Sequence, residues 1–314
     1  MKNLLRSFVP LIILIATSSS VFSEPLAIRD EHNGKYDIQE VKDLAYHSTE
    51  ANADELKKLN LIVPKNVKNP PILLWIGGGA WAYVDRNKEM ELCRNLAKQG
   101  IAVASVGHRL SPALLWEPKR ETGIKHPEHV RDVAEAFKWI YDHAAQYNYS
   151  KENIYVGGFS SGAHLSALLS MDEKYLKEFG LTREHIKAII PVGGGYDIPH
   201  YREDLLKEDP AYDKNHFHAV FGPTEKEWID ASPSNFIDDL KVPILMFSES
   251  YTYEYTKHFE EMLVRSQFKD FDVIHVHKLD HAGLWKNLAR EDHSIYRNMI
   301  VDFIKTSSLE TRPQ

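Results

Sequence analysis

The chain has 314 residues, 43% of them hydrophobic and 26% charged, with 16 Gly and 15 Pro, which excludes a disordered tail, a collagen-like rod and a disulfide-stapled miniprotein. Its 38 Lys+Arg against 45 Asp+Glu give a net charge of −7, so no basic surface is expected to attract nucleic acid. The single cysteine, Cys93, cannot form an intrachain disulfide, and no CxxC pair offers a zinc or redox site.

In chain order, Lys2 and Arg6 precede the apolar run Phe8 to Ala16 and a small polar stretch, Thr17 to Ser20. This reads as a secretory signal peptide over residues 1–23, with Val21 and Ser23 at the small-residue positions before a cut near Glu24. The apolar run is about half the ~20 residues that span a bilayer. The expectation is therefore a secreted or periplasmic protein without stable membrane insertion after cleavage, consisting of a single domain over 24–314.

From residue 60 onward, short β-rich apolar runs alternate with helical patterns, the signature of an α/β fold with a mostly parallel sheet covered on both faces. Strands are expected at Leu59–Val63, Ile72–Ile76, Ala102–Val106, Ile154–Val156, Ala188–Val192, Ile244–Phe247 and Phe271–His275. Helices are expected at Asn87–Gln99, Val130–Tyr147 and Tyr253–Phe268. Cys93 falls on the apolar face of the first and reads as a buried hydrophobe. Residues 198–230, with Pro199, Pro210, Gly222 and Pro223, interrupt the alternation and form a candidate cap insertion.

The strongest chemical signal is Gly158-Phe159-Ser160-Ser161-Gly162 between a strand and a helical run. A GxSxG in that setting puts Ser160 on a tight turn as an attacking hydroxyl. A serine needs a base, and His281, in a loop after the last strand, is the histidine placed to serve. The developing negative charge needs N–H donors. Gly77-Gly78-Gly79-Ala80-Trp81, just past the strand Ile72–Ile76, can bring backbone amides there, and the Ser161 amide supplies another. No Lys-Ser/Thr follows the glycines, which disfavours a nucleotide loop. His275 and His277 alternate on one strand without a third candidate ligand. No metal or cofactor is expected.

These residues resemble the alpha/beta-hydrolase superfamily, in its esterase/lipase branch related to hormone-sensitive lipase and kynurenine formamidase. Gly77 to Trp81 looks like the branch's HGGGW segment, Arg109-Leu110-Ser111-Pro112 like YRLSP, and Gly158 to His164 like GxSAGxH. The resemblance covers roughly residues 60–305. It implies the alpha/beta-hydrolase fold and ester hydrolysis through an acyl-enzyme, with Ser160 as nucleophile, His281 as base, and Gly78, Gly79 and Ser161 as oxyanion donors.

The chain departs from the pattern at Gly77, where the family has histidine, at Gly107-His108, where Asp-Tyr is usual, and at the triad acid. The formamidase-like spacing puts Tyr251 at the acid's position, and the commoner spacing puts Thr252 there. Glu254 ranks first among substitutes, ahead of Glu249, with Asp197 as a third candidate that reads more readily as a turn residue. The expected function is an exported serine esterase acting on a small-molecule carboxylic ester, such as an acetylated sugar or an aromatic acid ester. The alternative is a catalytically impaired relative that binds a ligand or partner, because Tyr251 replaces the acid. A serine peptidase or amidase is disfavoured, since fewer than 60 residues precede the core sheet, too few for a large gating domain.

Overall fold

The computed structural model describes residues 36–47, 54–116 and 120–309. The expected signal peptide at 1–23 lies outside them. Eight strands form one sheet in the order β1-β2-β4-β3-β5-β6-β7-β8: β1 Ile38–Ala45, β2 Lys58–Pro64, β3 Ile72–Ile76, β4 Ala102–Val106, β5 Ile154–Phe159, β6 Ile189–Val192, β7 Ile244–Glu249 and β8 Phe271–Val276. The first two strands pair antiparallel, as does β2 with β4, and every pairing from β4 to β8 is parallel. This is the expected alpha/beta-hydrolase arrangement.

The central strands formed where they were expected because both faces are covered. All five residues of β3 and of β4 are buried, as parallel strands between two helical layers require. Leu74, Ile76, Val156 and Leu168 belong to one apolar cluster; Leu73, Trp75, Tyr155 and Leu96 belong to the other, across the sheet. Cys93 is in that second cluster and fully buried.

The structure corrects several expectations about elements: the helix expected over Asn87–Gln99 forms as a 3-10 turn, Arg86–Glu89, followed by the α-helix Met90–Ala97. An edge strand, β1, precedes the first expected strand; its sequence IQEVKDLA is only partly covered, so it lacks the continuous apolar run that marks the interior strands. The helix expected over Val130–Tyr147 ends at Asp142 and restarts as one turn, Ala144–Tyr147. The helix expected over Tyr253–Phe268 closes at Arg265. The 198–230 insertion contains the helix Ile198–Glu208, a π turn Asp213–Phe217, and the short helices His218–Phe221 and Glu225–Asp230. It rests on buried Leu205, Phe217, Val220 and Phe221.

Candidate active site

Ser160 sits between the end of β5 and the helix Ser161–Met171 with φ 55° and ψ −118°, a backbone setting that L-residues avoid without support. Two glycines make the turn possible. A Cβ on Gly162 would lie 2.1 Å from the Ile76 carbonyl oxygen, and one on Gly158 would lie 2.5 Å from Gly162. The helix that follows is buried over all eleven residues. Its N-terminus, with unpaired amides and the positive end of the dipole, faces the serine and favours negative charge there.

The loop after β3 closes over this turn. A Cβ on Gly78 would come within 3.1 Å of Ser160 Cβ, so the bare backbone of Gly78 lies against the serine. Gly79 has φ +147°, and a Cβ there would meet the Tyr83 and Val84 backbone at 2.6 Å. Ala80 and Trp81 also hold positive φ, 49° and 58°. Such conformations cost of order 1–2 kcal/mol each unless the surroundings fix them. Here Trp81 is the anchor: its Nε1 donates to His164 Nδ1 at 3.2 Å, and its ring meets Phe221 edge-on at 4.8 Å. His164 Nε2 in turn donates to the Ala231 carbonyl at 2.8 Å. Burial drives the His164 pKa down to about 3, so the imidazole is neutral and can accept from the indole. His164 thus ties the loop after β3 to the helix behind Ser160.

His281 opens the helix His281–Arg290, whose N-cap Asp280 accepts from Gly283 N at 2.6 Å. Its ring stacks on Phe159 at 4.5 Å. Its Nδ1 lies 2.8 Å from Oε1 of Glu249, the last residue of β7, whose side chain is fully buried. With a carboxylate as partner, Nδ1 carries the proton and Nε2 is left as the basic nitrogen. The same Oε1 accepts from Thr252 Oγ1 at 2.7 Å, and Oε2 accepts from Tyr251 N at 2.6 Å. Burial alone would raise the Glu249 pKa, but the hydrogen bonds from His281 and Thr252 outweigh it and hold the carboxyl below its ordinary range. Gly193, φ +62°, lets the β6 loop pass beside the pair; a Cβ there would lie 3.3–3.4 Å from His281 and Glu249.

The expectation that Glu254 orients His281 is therefore corrected. Glu254 is exposed in the first turn of the helix Tyr253–Arg265, while the contact to His281 Nδ1 comes from Glu249. Asp197 caps the helix Ile198–Glu208, accepting from His200 N at 3.0 Å and from Ser234 Oγ at 3.0 Å. Tyr251 is half exposed and donates to Glu208 Oε1 at 2.9 Å. His275 accepts or donates within β8's own surroundings, at 2.6 Å from Ser248 Oγ and 3.2 Å from Glu260.

Ser160, His281, Gly78, Gly79 and Ser161 all line one cavity of about 550 Å³. Aromatic residues form much of its wall, among them Trp81, Phe159, Tyr201, Tyr255 and Trp285. Tyr201 comes from the 198–230 insertion, which thereby contributes to the site. Sequence reasoning missed two contributors, Gly193 and Glu89; the second Gly-Gly-Gly run, Gly193 to Gly195 directly after a strand, was the available signal for the first.

Comparison with known proteins bears on the whole of this region. The BD-FAE family model matches residues 59–251, more than half of the chain. The chain belongs to the BD-FAE family. Among curated relatives, the probable carboxylic ester hydrolase LipM of Mycobacterium tuberculosis is 28% identical over 43% of this chain and 30% of its own length. The chain thus spans about a third of that relative. Kynurenine formamidase of Danio rerio is 22% identical over 83% of this chain and 81% of its own. Among solved structures, esterase B from Lactobacillus rhamnosis superposes with a TM-score of 0.70 at 19% identity, covering 87% of each chain. A truncated carbohydrate esterase from gut microbiota superposes at 0.66 and 19% identity, covering 88% of this chain and 98% of that one. These likenesses confirm the alpha/beta-hydrolase fold.

Proposed function

We propose that this BD-FAE family member is an exported serine hydrolase that cleaves carboxylic esters through an acyl-enzyme. The observation that carries the reading is the 2.8 Å contact between Glu249 and His281 in the cavity that Ser160 enters from its strained turn. In this mechanism His281 Nε2 takes the Ser160 hydroxyl proton as Oγ attacks the ester carbonyl. The Glu249 carboxylate holds the imidazole tautomer and stabilises the imidazolium. The backbone N–H groups of Gly78, Gly79 and Ser161 receive the developing oxyanion. His281 then returns the proton to the leaving alcohol, and water repeats the sequence to release the acid. The chain order Ser160, Glu249, His281 is that of the alpha/beta hydrolases. With Glu249 in contact with His281, Tyr251 no longer argues for an impaired enzyme.

The mature protein should hydrolyse p-nitrophenyl acetate, and Ser160→Ala should abolish turnover; unchanged activity in that variant would defeat the reading. The likeness to a kynurenine formamidase over most of both chains favours a formamide as the amide to assay beside it. Export rests on the N-terminal pattern of residues 1–23. An N-terminus near Glu24 on protein recovered outside the cytoplasm supports it, and an intact Met1 on all the protein refutes it.

A further inference from the structure

Behind the triad acid lies a second chain of serine, histidine and glutamate. Ser248, the residue before Glu249 on β7, stands opposite His275 on β8, and its Oγ lies 2.6 Å from His275 Nδ1. His275 Nε2 lies 3.2 Å from Oε2 of Glu260, on the helix Tyr253–Arg265, and Lys257 Nζ donates to the same oxygen at 2.9 Å. Burial alone would raise the Glu260 pKa, but the hydrogen bonds from Lys257 and His275 outweigh it and keep the carboxyl below its ordinary range. With a carboxylate at Nε2, that nitrogen carries the proton, so Nδ1 accepts from the Ser248 hydroxyl. Ser248 is fully buried, so its hydroxyl is no second nucleophile; the hydrogen bonds instead join three elements, each of which leads to the triad. β7 ends in Glu249. The helix Tyr253–Arg265 has as its N-cap Thr252, which donates to Glu249 Oε1 at 2.7 Å. β8 runs on to Leu279, two residues before His281, and the Leu279 carbonyl accepts from Ser250 N at 3.1 Å.

We propose that His275 is a positioning residue of the triad: by accepting from Ser248 and donating to Glu260 it fixes the end of β7 and the start of the following helix, and with them the reach of Glu249 to His281. Glu249 needs such support because it stands two residues before the position expected for the acid and spans the gap with a longer side chain. A small shift of β7 would therefore carry its carboxylate off the imidazole. β8 is the edge strand of the sheet and only partly covered, so pairing on one side alone leaves the rest of its hold to these side chains. The inference rests on the ester-hydrolase reading and adds a residue outside the cavity on which that chemistry depends.

His275→Ala should lower kcat for p-nitrophenyl acetate by about tenfold or more with KM within about twofold, since displacing a catalytic group costs turnover and spares substrate binding. His275→Asn, whose amide oxygen can still accept from Ser248, should recover at least about threefold of that loss. Ser248→Ala should lose as much as His275→Ala, and the double variant should fall no more than about twofold below either, because residues that act through one hydrogen bond are not additive. If His275→Ala fails to fold, Ser248→Ala decides by the same split between kcat and KM. An unchanged kcat in the folded variants, a loss confined to KM, or an asparagine variant no better than the alanine one would overturn the proposal. Proton NMR needs no turnover: the low-field N–H resonance of His281, assigned by its absence in His281→Gln, should shift and broaden in His275→Ala and in Ser248→Ala. Such a change in a protein that hydrolyses no ester would sink the hydrolase reading and keep this one, while an unmoved resonance would sink this one alone.

Discussion

Glu249 Oε1 lies 2.8 Å from His281 Nδ1, although the family's acid is expected two residues later, at Tyr251. The longer glutamate side chain reaches from the end of β7 to the imidazole, and the two following residues become donors to it: Tyr251 through its amide and Thr252 through its hydroxyl. The position that lost its carboxylate now holds the replacement carboxylate in place.

Replacing Glu249 by Gln should lower turnover of p-nitrophenyl acetate by at least about 100-fold, within the ~10⁴ loss seen when a triad acid becomes an amide. Glu254→Gln, at an exposed helix start, should stay within about twofold. Steady-state kinetics on variants with unchanged circular dichroism checks both, and the reverse pattern would return the role to Glu254.

The difference between those two glutamates also marks how far the sequence could be read. Ile72–Ile76 and Ala102–Val106 were legible to the residue because strands covered on both faces need unbroken apolar runs. Ser160 and His281 were legible because a tight turn demands its glycines and a base must follow the last strand. β1 was not, because an edge strand covered only in part carries no such run. The reach of Glu249 was not legible either: it depends on where β7 stops and on which way the next loop turns. Gly77 was visible as a departure, but Glu89, whose Oε1 lies 2.9 Å from where a Cβ of Gly77 would stand, is twelve residues away and meets it only through folding.

Gly193→Ala should impair catalysis while the protein stays folded. The substitution forces a Cβ onto φ +62° at 3.3–3.4 Å from His281 and Glu249, costing about 1 kcal/mol of stability. The expected result is a kcat lower by about tenfold or more, since small displacements of a catalytic pair are expensive. A thermal melt and a kcat measurement on the same preparation test it.

Acid should destabilise the fold well above the carboxylate range. Burial holds the pKa of His164 and His216 at about 3 and lowers those of His108 and His129. In the unfolded chain imidazoles bind protons below about pH 6.5. Between these limits the unfolded state carries more protons, so stability falls as the pH falls. Each histidine contributes at most about 1.4 kcal/mol per pH unit. Urea midpoints should decline steadily from pH 7 to pH 4; a flat profile would show that these imidazoles are not held neutral.

Cys93 should be inert in the folded protein. It is fully buried, and burial drives its thiol pKa well up, so thiolate is scarce and inaccessible. Ellman's reagent should react with none of the native protein and with one thiol per chain in guanidinium chloride. Rapid native reaction would contradict the burial of Cys93 in the second apolar cluster.

The central claim, that Glu249 and His281 activate Ser160, is tested most directly by covalent labelling with a fluorophosphonate probe, followed by peptide mass spectrometry. The account predicts one adduct, on Ser160, formed quickly in the unmodified protein and in Glu254→Gln, and slowed at least about 100-fold in Glu249→Gln. An adduct on another residue, or labelling of Ser160 at the same rate in Glu249→Gln, would contradict it.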